Sequence, residues 1–135
     1  MIDAYLSALP GETRRLAHAE WGLTLEPEAA GGWPLDVGLR VADELLRVQA
    51  FCAAADPELD LGQILHWNRQ TRLVRFACAR NGDIWVHGDV PVRGLDEGTL
   101  DRLLGLVAEG ALAARAYAAG LRAESSGASG SPWGG

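Results

Sequence analysis

Residues 72–92 read RLVRFACARNGDIWVHGDVPV, and this stretch decides the fold. Val74, Phe76 and Cys78 alternate with Arg75, Ala77 and Ala79 before Asn81-Gly82. Ile84, Val86 and Val90 alternate with Trp85, His87 and Asp89 after it. Successive side chains of a strand point to opposite faces, so each run has an apolar and a polar side. An Asn-Gly pair takes the positive φ angles of a type I′ turn at low cost, and such turns join antiparallel neighbours. The expectation is a β-hairpin turning on Asn81-Gly82. Val74, Phe76, Cys78, Ile84, Val86 and Val90 should face a helix layer, leaving Arg75, Trp85, His87 and Asp89 on the other side.

The flanks supply that layer. Upstream, Asp60 has the chemistry of a helix N-cap, and Gln63 completes a capping-box pattern, with Leu59 and Ile64 placed as a hydrophobic staple. Leu61, Ile64, Leu65 and Asn68 would share one face of a short helix fading near Gln70. Downstream, Pro91 and Gly94 break the chain, and Asp96 should cap a long helix to about Arg122. Its apolar seam is Leu100, Leu104, Val107, Ala111, Ala114, Ala118 and Leu121, at alternating spacings of four and three. The alanine half of this seam would let another backbone approach closely. Gly105, Gly110 and Gly120 each cost about 1 kcal/mol of helix propensity relative to Ala, so packing must hold the helix. The last stretch, Glu124 to Gly135 (ESSGASGSPWGG), is too polar and Gly-rich to repay ordering and is expected to be a flexible tail, with Trp133 its one apolar anchor.

The N-terminal half is less sharply patterned. Residues 2–9 have helical spacing, Pro10-Gly11 interrupts, and Glu12 to Glu20 resumes a helix-compatible pattern. Trp21, Leu23 and Leu25 alternate with polar or small residues, Glu28 to Trp33 is a Gly-Ala loop, and Leu35, Val37, Leu39 and Val41 alternate strictly as a strand. Asp43 to Ala55 stays open: the composition is helical, yet Leu46, Val48, Ala50 and Cys52 also alternate.

With 135 residues, 48% apolar and 22% charged, the chain suits one domain (residues 1–123) followed by the tail. All 12 cationic side chains are arginine, and the formal net charge is −6. An acidic total argues against general binding to a phosphate backbone. No window approaches 18 consecutive apolar residues, so no helical membrane span is expected. Asp3 and Pro10 interrupt any signal-peptide pattern, which makes the cytoplasm the expected compartment.

Catalytic chemistry finds little footing. Cys52 and Cys78 lie in apolar surroundings without CxxC or Cys/His spacing, and are expected as buried reduced thiols. His87 and Asp89 share a strand face, and His66 could approach them only if its helix crosses nearby, but a metal site usually needs three or four ligands with matched spacing. Ser7 is the only serine outside the tail and sits in no G-x-S-x-G elbow. A chain without lysine has no P-loop lysine. No catalytic residue, metal ligand or cofactor is assigned, and the expectation is a non-enzyme.

At ILHWN (Ile64 to Asn68), RLVRFACARNGDIWVHGDVPV (Arg72 to Val92) and LDEGTLDRLLGLVAE (Leu95 to Glu109), the chain resembles a YbjN-type domain. Such domains carry a leucine-rich helix ending in Asn, a hairpin turning on Gly, a Pro step and a closing helix. The family is similar to type III secretion chaperones, so the resemblance implies an α+β fold of order α-β-β-β-α-β-β-α. That is a single five-stranded antiparallel sheet with helices packed against it, commonly homodimeric. It makes Leu45 to Ala53 the third strand and Asp43-Glu44 a turn. It carries over no active site.

A sheet covered by helices on one side leaves its other face to solvent or a partner. Arg40, Arg47, Arg75, Trp85 and His87 are expected on that face, as the binding site for another protein, because Trp and Arg dominate interface hot spots. The alternative is single-stranded nucleic acid stacked on the same Arg/Trp face, which the acidic total opposes. Val107, Ala111, Ala114, Ala118 and Leu121 are the expected homodimer seam. The expectation is thus a homodimeric adaptor or chaperone-like protein.

Overall fold

The computed structural model describes residues 1–9, 11–26 and 34–130, without the side chains of 125–130. The elements run α1 (Ile2–Ser7), β1 (Glu12–Ala17), β2 (Glu20–Leu25), β3 (Leu35–Ala42), β4 (Leu45–Ala53), α2 (Leu61–Trp67), β5 (Val74–Cys78), β6 (Ile84–Pro91) and α3 (Glu97–Gly130). All strands join one antiparallel sheet in the order β1-β2-β3-β4-β6-β5.

The three helices among the described residues lie on one face. Leu23, Leu35, Val37, Leu39, Leu46, Val48, Val74, Ile84 and Val86 alternate inward from the strands and are buried against Leu6, Ile64, Leu100, Leu103, Val107 and Ala111. Three polar contacts tie α1 down: Tyr5 Oη donates to Asp101 Oδ1 on α3 at 2.7 Å, Trp21 Nε1 donates to Asp3 Oδ1 at 2.7 Å, and Arg15 Nη1 donates to Asp3 Oδ2 at 3.1 Å. Burial and the neighbouring Asp101 carboxylate push the Tyr5 phenol pKa up, so it stays a donor. Gly88 of β6 lies directly under Leu103 of α3. A Cβ there would come within 2.7 Å of both Leu103 Cδ1 and the Leu73 carbonyl oxygen.

Among the described residues the sheet has six strands rather than five, because Glu12–Ala17 is a strand and not a continuation of helix. All six of its residues are exposed, so it has no apolar face to bury and is held by its ladder to β2. Arg14 and Arg15 add cover: the Arg14 guanidinium lies on Gly22, and Arg15 stacks over Trp21 at 5.2 Å while pairing with Asp3 at 3.1 Å. Leu45–Ala53 is a strand, as the resemblance implied, following a two-residue turn in which Asp43 and Glu44 take φ of 53° and 63°. Those two positive angles are the type I′ signature.

Asn81-Gly82, by contrast, does not form a type I′ turn. Gly82 N donates to Ala79 O at 2.9 Å, Ala79 N donates to Asp83 O at 2.8 Å, and only Gly82 is left-handed, at φ 95°. This is a three-residue loop with a glycine bulge, and Asn81 Oδ1 accepts from Asp83 N at 3.0 Å. The hairpin itself stands as expected.

Three further expectations are corrected. On α2, Leu61 and Leu65 are exposed, 47% and 65%, while Ile64 is buried and Trp67 half-buried. The helix turns so that Trp67 stacks edge-on with Phe76 and Tyr117, at centroid distances of 5.4 and 5.2 Å. The α3 seam is interior: Val107, Ala111, Ala114 and Ala118 are buried on the chain's own sheet, and Leu121 is half-buried. The alanines let α3 lie close to strands, so these residues expose almost no surface to a second copy. Cys52 is buried, but Cys78 is exposed at the end of β5. The helical backbone of α3 continues to Gly130, into the segment expected as tail; Trp133 and the Gly-Ala loop to Trp33 lie outside the described residues.

Candidate partner-docking face

The strand registers assemble the uncovered face in four rows, the outermost being Ala42, Leu45 and Pro91 across β3, β4 and β6. The second row runs Glu20, Arg40, Arg47, Asp89 across β2, β3, β4 and β6. The third runs Arg14, Gly22, Gly38, Gln49, His87, Arg75 from edge to edge. The fourth holds Glu12, Thr24 and Asp36 at one end and Phe51, Trp85 and Ala77 at the other. Arg40, Arg47, Arg75, Trp85 and His87 therefore do share one sheet face.

Their electrostatics differ from a free arginine patch. Arg47 makes a two-pronged contact with Asp89, Nε to Oδ1 at 2.8 Å and Nη2 to Oδ2 at 2.9 Å. The guanidinium holds the Asp89 carboxyl below its usual range. Arg40 lies 3.5 Å from Glu20, and Arg14 reaches Thr24 Oγ1 at 3.0 Å and Asp36 at 4.0 Å. Arg75 donates to the Val74 carbonyl oxygen at 2.7 Å and to Thr71 Oγ1 at 3.3 Å. Arg14, Arg40, Arg47 and Arg75 are thus matched in number on the same face by Glu12, Glu20, Asp36 and Asp89. His87 sits among them with its pKa lowered, first by burial and then by Arg47. Its imidazole is therefore neutral at neutral pH.

What remains uncompensated is apolar. Phe51 is 40% exposed and meets the Trp85 ring edge-on at a centroid distance of 5.7 Å. The pair occupies one end of the face, next to the flat ground of Gly38, where a Cβ would find only Gln49 Cγ at 3.9 Å. Phe51 was not among the expected docking residues. Its signal was present in the alternation of Leu46, Val48, Ala50 and Cys52, which sends Phe51 outward only if that segment is a strand.

Asn68, at the end of α2, has a distinct role. Its Oδ1 accepts from Phe76 N at 2.8 Å and its Nδ2 donates to Phe76 O at 3.1 Å. The side-chain amide thereby imitates a neighbouring strand along the outer edge of β5. Arg75 covers the next outward carbonyl, that of Val74. Between this edge and α3 lies a groove of about 550 Å³, floored by Trp67, Phe76, Leu106 and Ala113 and rimmed by Arg72 and Glu109. A smaller cavity of about 230 Å³ lies under α1 between Tyr5, Leu23, Val37 and Leu104. Among the described residues no three His, Cys, Asp or Glu side chains cluster as metal ligands, and no helix is long and apolar enough to cross a membrane.

A family model for YbjN, described as a putative bacterial sensory transduction regulator, matches residues 35–134. The chain belongs to the YbjN family. The fold agrees: the structure of YbjN from E. coli superposes with a TM-score of 0.62 at 15% identity, covering 86% of this chain and 89% of that one. A chain of the heterodimeric ExoU-SpcU complex from the type III secretion system of Pseudomonas aeruginosa gives 0.62 at 20% identity, covering 85% of this chain and 95% of that one. A chain of the HopA1-SchA chaperone-effector complex gives 0.61 at 13%, covering 84% and 86%. At these identities the likeness is one of fold. Comparison with curated protein sequences finds no match.

Proposed function

We propose that this YbjN-family chain is a non-enzymatic adaptor or chaperone-like protein that acts in the cytoplasm as a homodimer and docks another protein on its uncovered sheet face. One observation carries the reading: the Phe51–Trp85 pair stands on a sheet face that no helix among the described residues covers. Aromatic side chains give large contact area for little lost freedom, and Trp with Arg is the common composition of binding hot spots. Around the pair, Arg40, Arg47, Arg75 and His87 would supply directional hydrogen bonds, with the Arg47–Asp89 contact already held in place. The solved structures of similar fold include chains from a chaperone-effector complex, which supports a protein partner.

Single-stranded nucleic acid on the same face is disfavoured by its charge. Phosphate affinity comes from cations that release counterions, and here each arginine is offset by an acid on the same face. The test is comparative capture from the native cell with wild type, Phe51→Ala/Trp85→Ala and Leu65→Ala as bait. A protein held by wild type and Leu65→Ala but lost with the aromatic double variant supports docking at this face. Equal recovery by all three refutes it. Salt-sensitive retention of single-stranded DNA by wild type alone would instead favour nucleic acid.

A further inference from the structure

The groove between the β5 edge and α3, about 550 Å³, has the volume of a small-molecule cleft. Its floor is held rigid. Trp67 stacks edge-on with Phe76 at 5.4 Å and with Tyr117 at 5.2 Å, and Tyr117 Oη in turn accepts from Asp60 N at 3.1 Å. Asn68 fixes the end of α2 to Phe76 through its two hydrogen bonds. At Gly110, α3 sinks toward the sheet, where a Cβ would come within 3.1 Å of Val86 Cγ2 and 3.5 Å of Phe76 Cζ. A cleft already shaped in this way loses little freedom when a ligand enters.

The rim selects the chemistry of the occupant. Arg72 and Glu109, both exposed, line the groove from different elements, Arg72 from the segment before β5 and Glu109 from α3. The floor they share is apolar, made by Trp67, Phe76, Leu106 and Ala113. A cation and an anion over one apolar floor complement a molecule that carries both charges and a flat apolar body. A purely anionic ligand would meet Glu109 as well as Arg72, and a purely cationic one the reverse. An extended peptide is a poor occupant. Strand addition uses the outward backbone groups of an edge, and Asn68 and Arg75 already hold those of Phe76 and the carbonyl of Val74.

We infer that the groove is a small-molecule site for a zwitterion of the aromatic amino-acid class, with its ring on the Trp67–Phe76 floor, its carboxylate toward Arg72 and its ammonium toward Glu109. The site lies on the helix-covered side of the sheet and stands independently of the docking face. Both rim charges are exposed, so each ion pair contributes modestly, and so small a ligand should bind with about millimolar affinity.

The test is titration of the isotope-labelled full chain with L-phenylalanine, phenylpropionate and phenethylamine, followed by heteronuclear NMR of the Trp67 and Trp85 indole N–H signals. L-Phenylalanine should shift the Trp67 signal saturably and leave that of Trp85 in place. Phenylpropionate, which lacks the ammonium, and phenethylamine, which lacks the carboxylate, should each bind about two- to fivefold more weakly. Arg72→Gln should weaken L-phenylalanine and phenylpropionate by a similar factor but not phenethylamine. Glu109→Gln should weaken L-phenylalanine and phenethylamine but not phenylpropionate. Both replaced side chains are exposed, so the spectra of the free variants should match wild type. No saturable shift of Trp67 with L-phenylalanine overturns the site. Equal binding of the three probes to wild type, or binding indifferent to both substitutions, overturns the zwitterion assignment. Neither result bears on the docking face, whose capture experiment stands apart.

Discussion

Replacing Asn68 with Ala removes a side chain that stands in for a strand. Its two hydrogen bonds, 2.8 Å from Phe76 N and 3.1 Å to Phe76 O, are part-buried and satisfy both outward backbone groups of that residue. A typical intramolecular hydrogen bond contributes about 0.5–1.5 kcal/mol net, so their joint loss should cost about 1–3 kcal/mol. For a domain of this size that corresponds to a fall in Tm of roughly 3–12 °C. Urea denaturation followed by tryptophan fluorescence measures it, since Trp67 stacks on Phe76 and reports this corner of the fold. Asn68→Asp sharpens the test. It keeps an acceptor for Phe76 N but turns a second oxygen toward the Phe76 carbonyl, so its folded-state carboxyl should titrate high. Its deficit should therefore shrink as pH falls and the carboxyl, once protonated, donates again. Leu65→Ala, on the same helix but 65% exposed, should change stability by less than about 0.5 kcal/mol. If Asn68→Ala is as stable as wild type, or Leu65→Ala is the costlier change, the strand-mimic role is refuted.

Gly88→Ala should destabilise by about 1–3 kcal/mol in the same denaturation assay, because its methyl would press on the Leu73 carbonyl, which cannot rotate away. A thiol reagent should modify Cys78 at once in the native protein and Cys52 only on unfolding; burial pushes the Cys52 thiol up to about 12, and equal rates would contradict its placement. Two pH windows follow from the sheet face. The folded Asp89 carboxyl is held low by Arg47, so its contribution is present above the ordinary carboxylate pKa and is lost as pH falls below about 4, a loss Asp89→Asn should remove. The folded His87 pKa is also lowered, so the unfolded chain binds the proton more readily and stability should decline as pH falls below about 6.5; His87→Gln should flatten that decline in pH-dependent melting curves.

The C-terminal half was legible because its signals are local. The alternation around residues 72–92, the caps at Asp60 and Asp96 and the α3 seam each act within a few residues, and the structure keeps them: Gln63 N bonds Asp60 Oδ1 at 3.1 Å and Thr99 N bonds Asp96 Oδ1 at 2.7 Å. β1 was missed because a strand held by its ladder, with every residue exposed, has no hydrophobic period to read. The leucines of α2 misled because Leu61 and Leu65 carry the helical spacing while Trp67 and Asn68, two and three residues past Leu65, make the contacts. The shared face of Arg40, Arg47, Arg75, Trp85 and His87 follows from strand parity once the registers are known. Its balance of charge does not, since it depends on which acids stand opposite which arginines across β2, β3, β4 and β6. Phe51 needed the assignment of residues 45–53 as strand, which periodicity alone left open.

Docking at the uncovered sheet face is tested most directly by photo-crosslinking in the native cell from a reactive side chain placed at Gln49, between the Arg47 and Phe51 rows. The matched control carries the same group at Leu65 on the helix side. A defined protein adduct from position 49 that disappears in the Phe51→Ala/Trp85→Ala background, and is absent from position 65, is the expected result. Adducts from position 65 alone, or nucleic-acid adducts from position 49, would contradict a protein partner at this face.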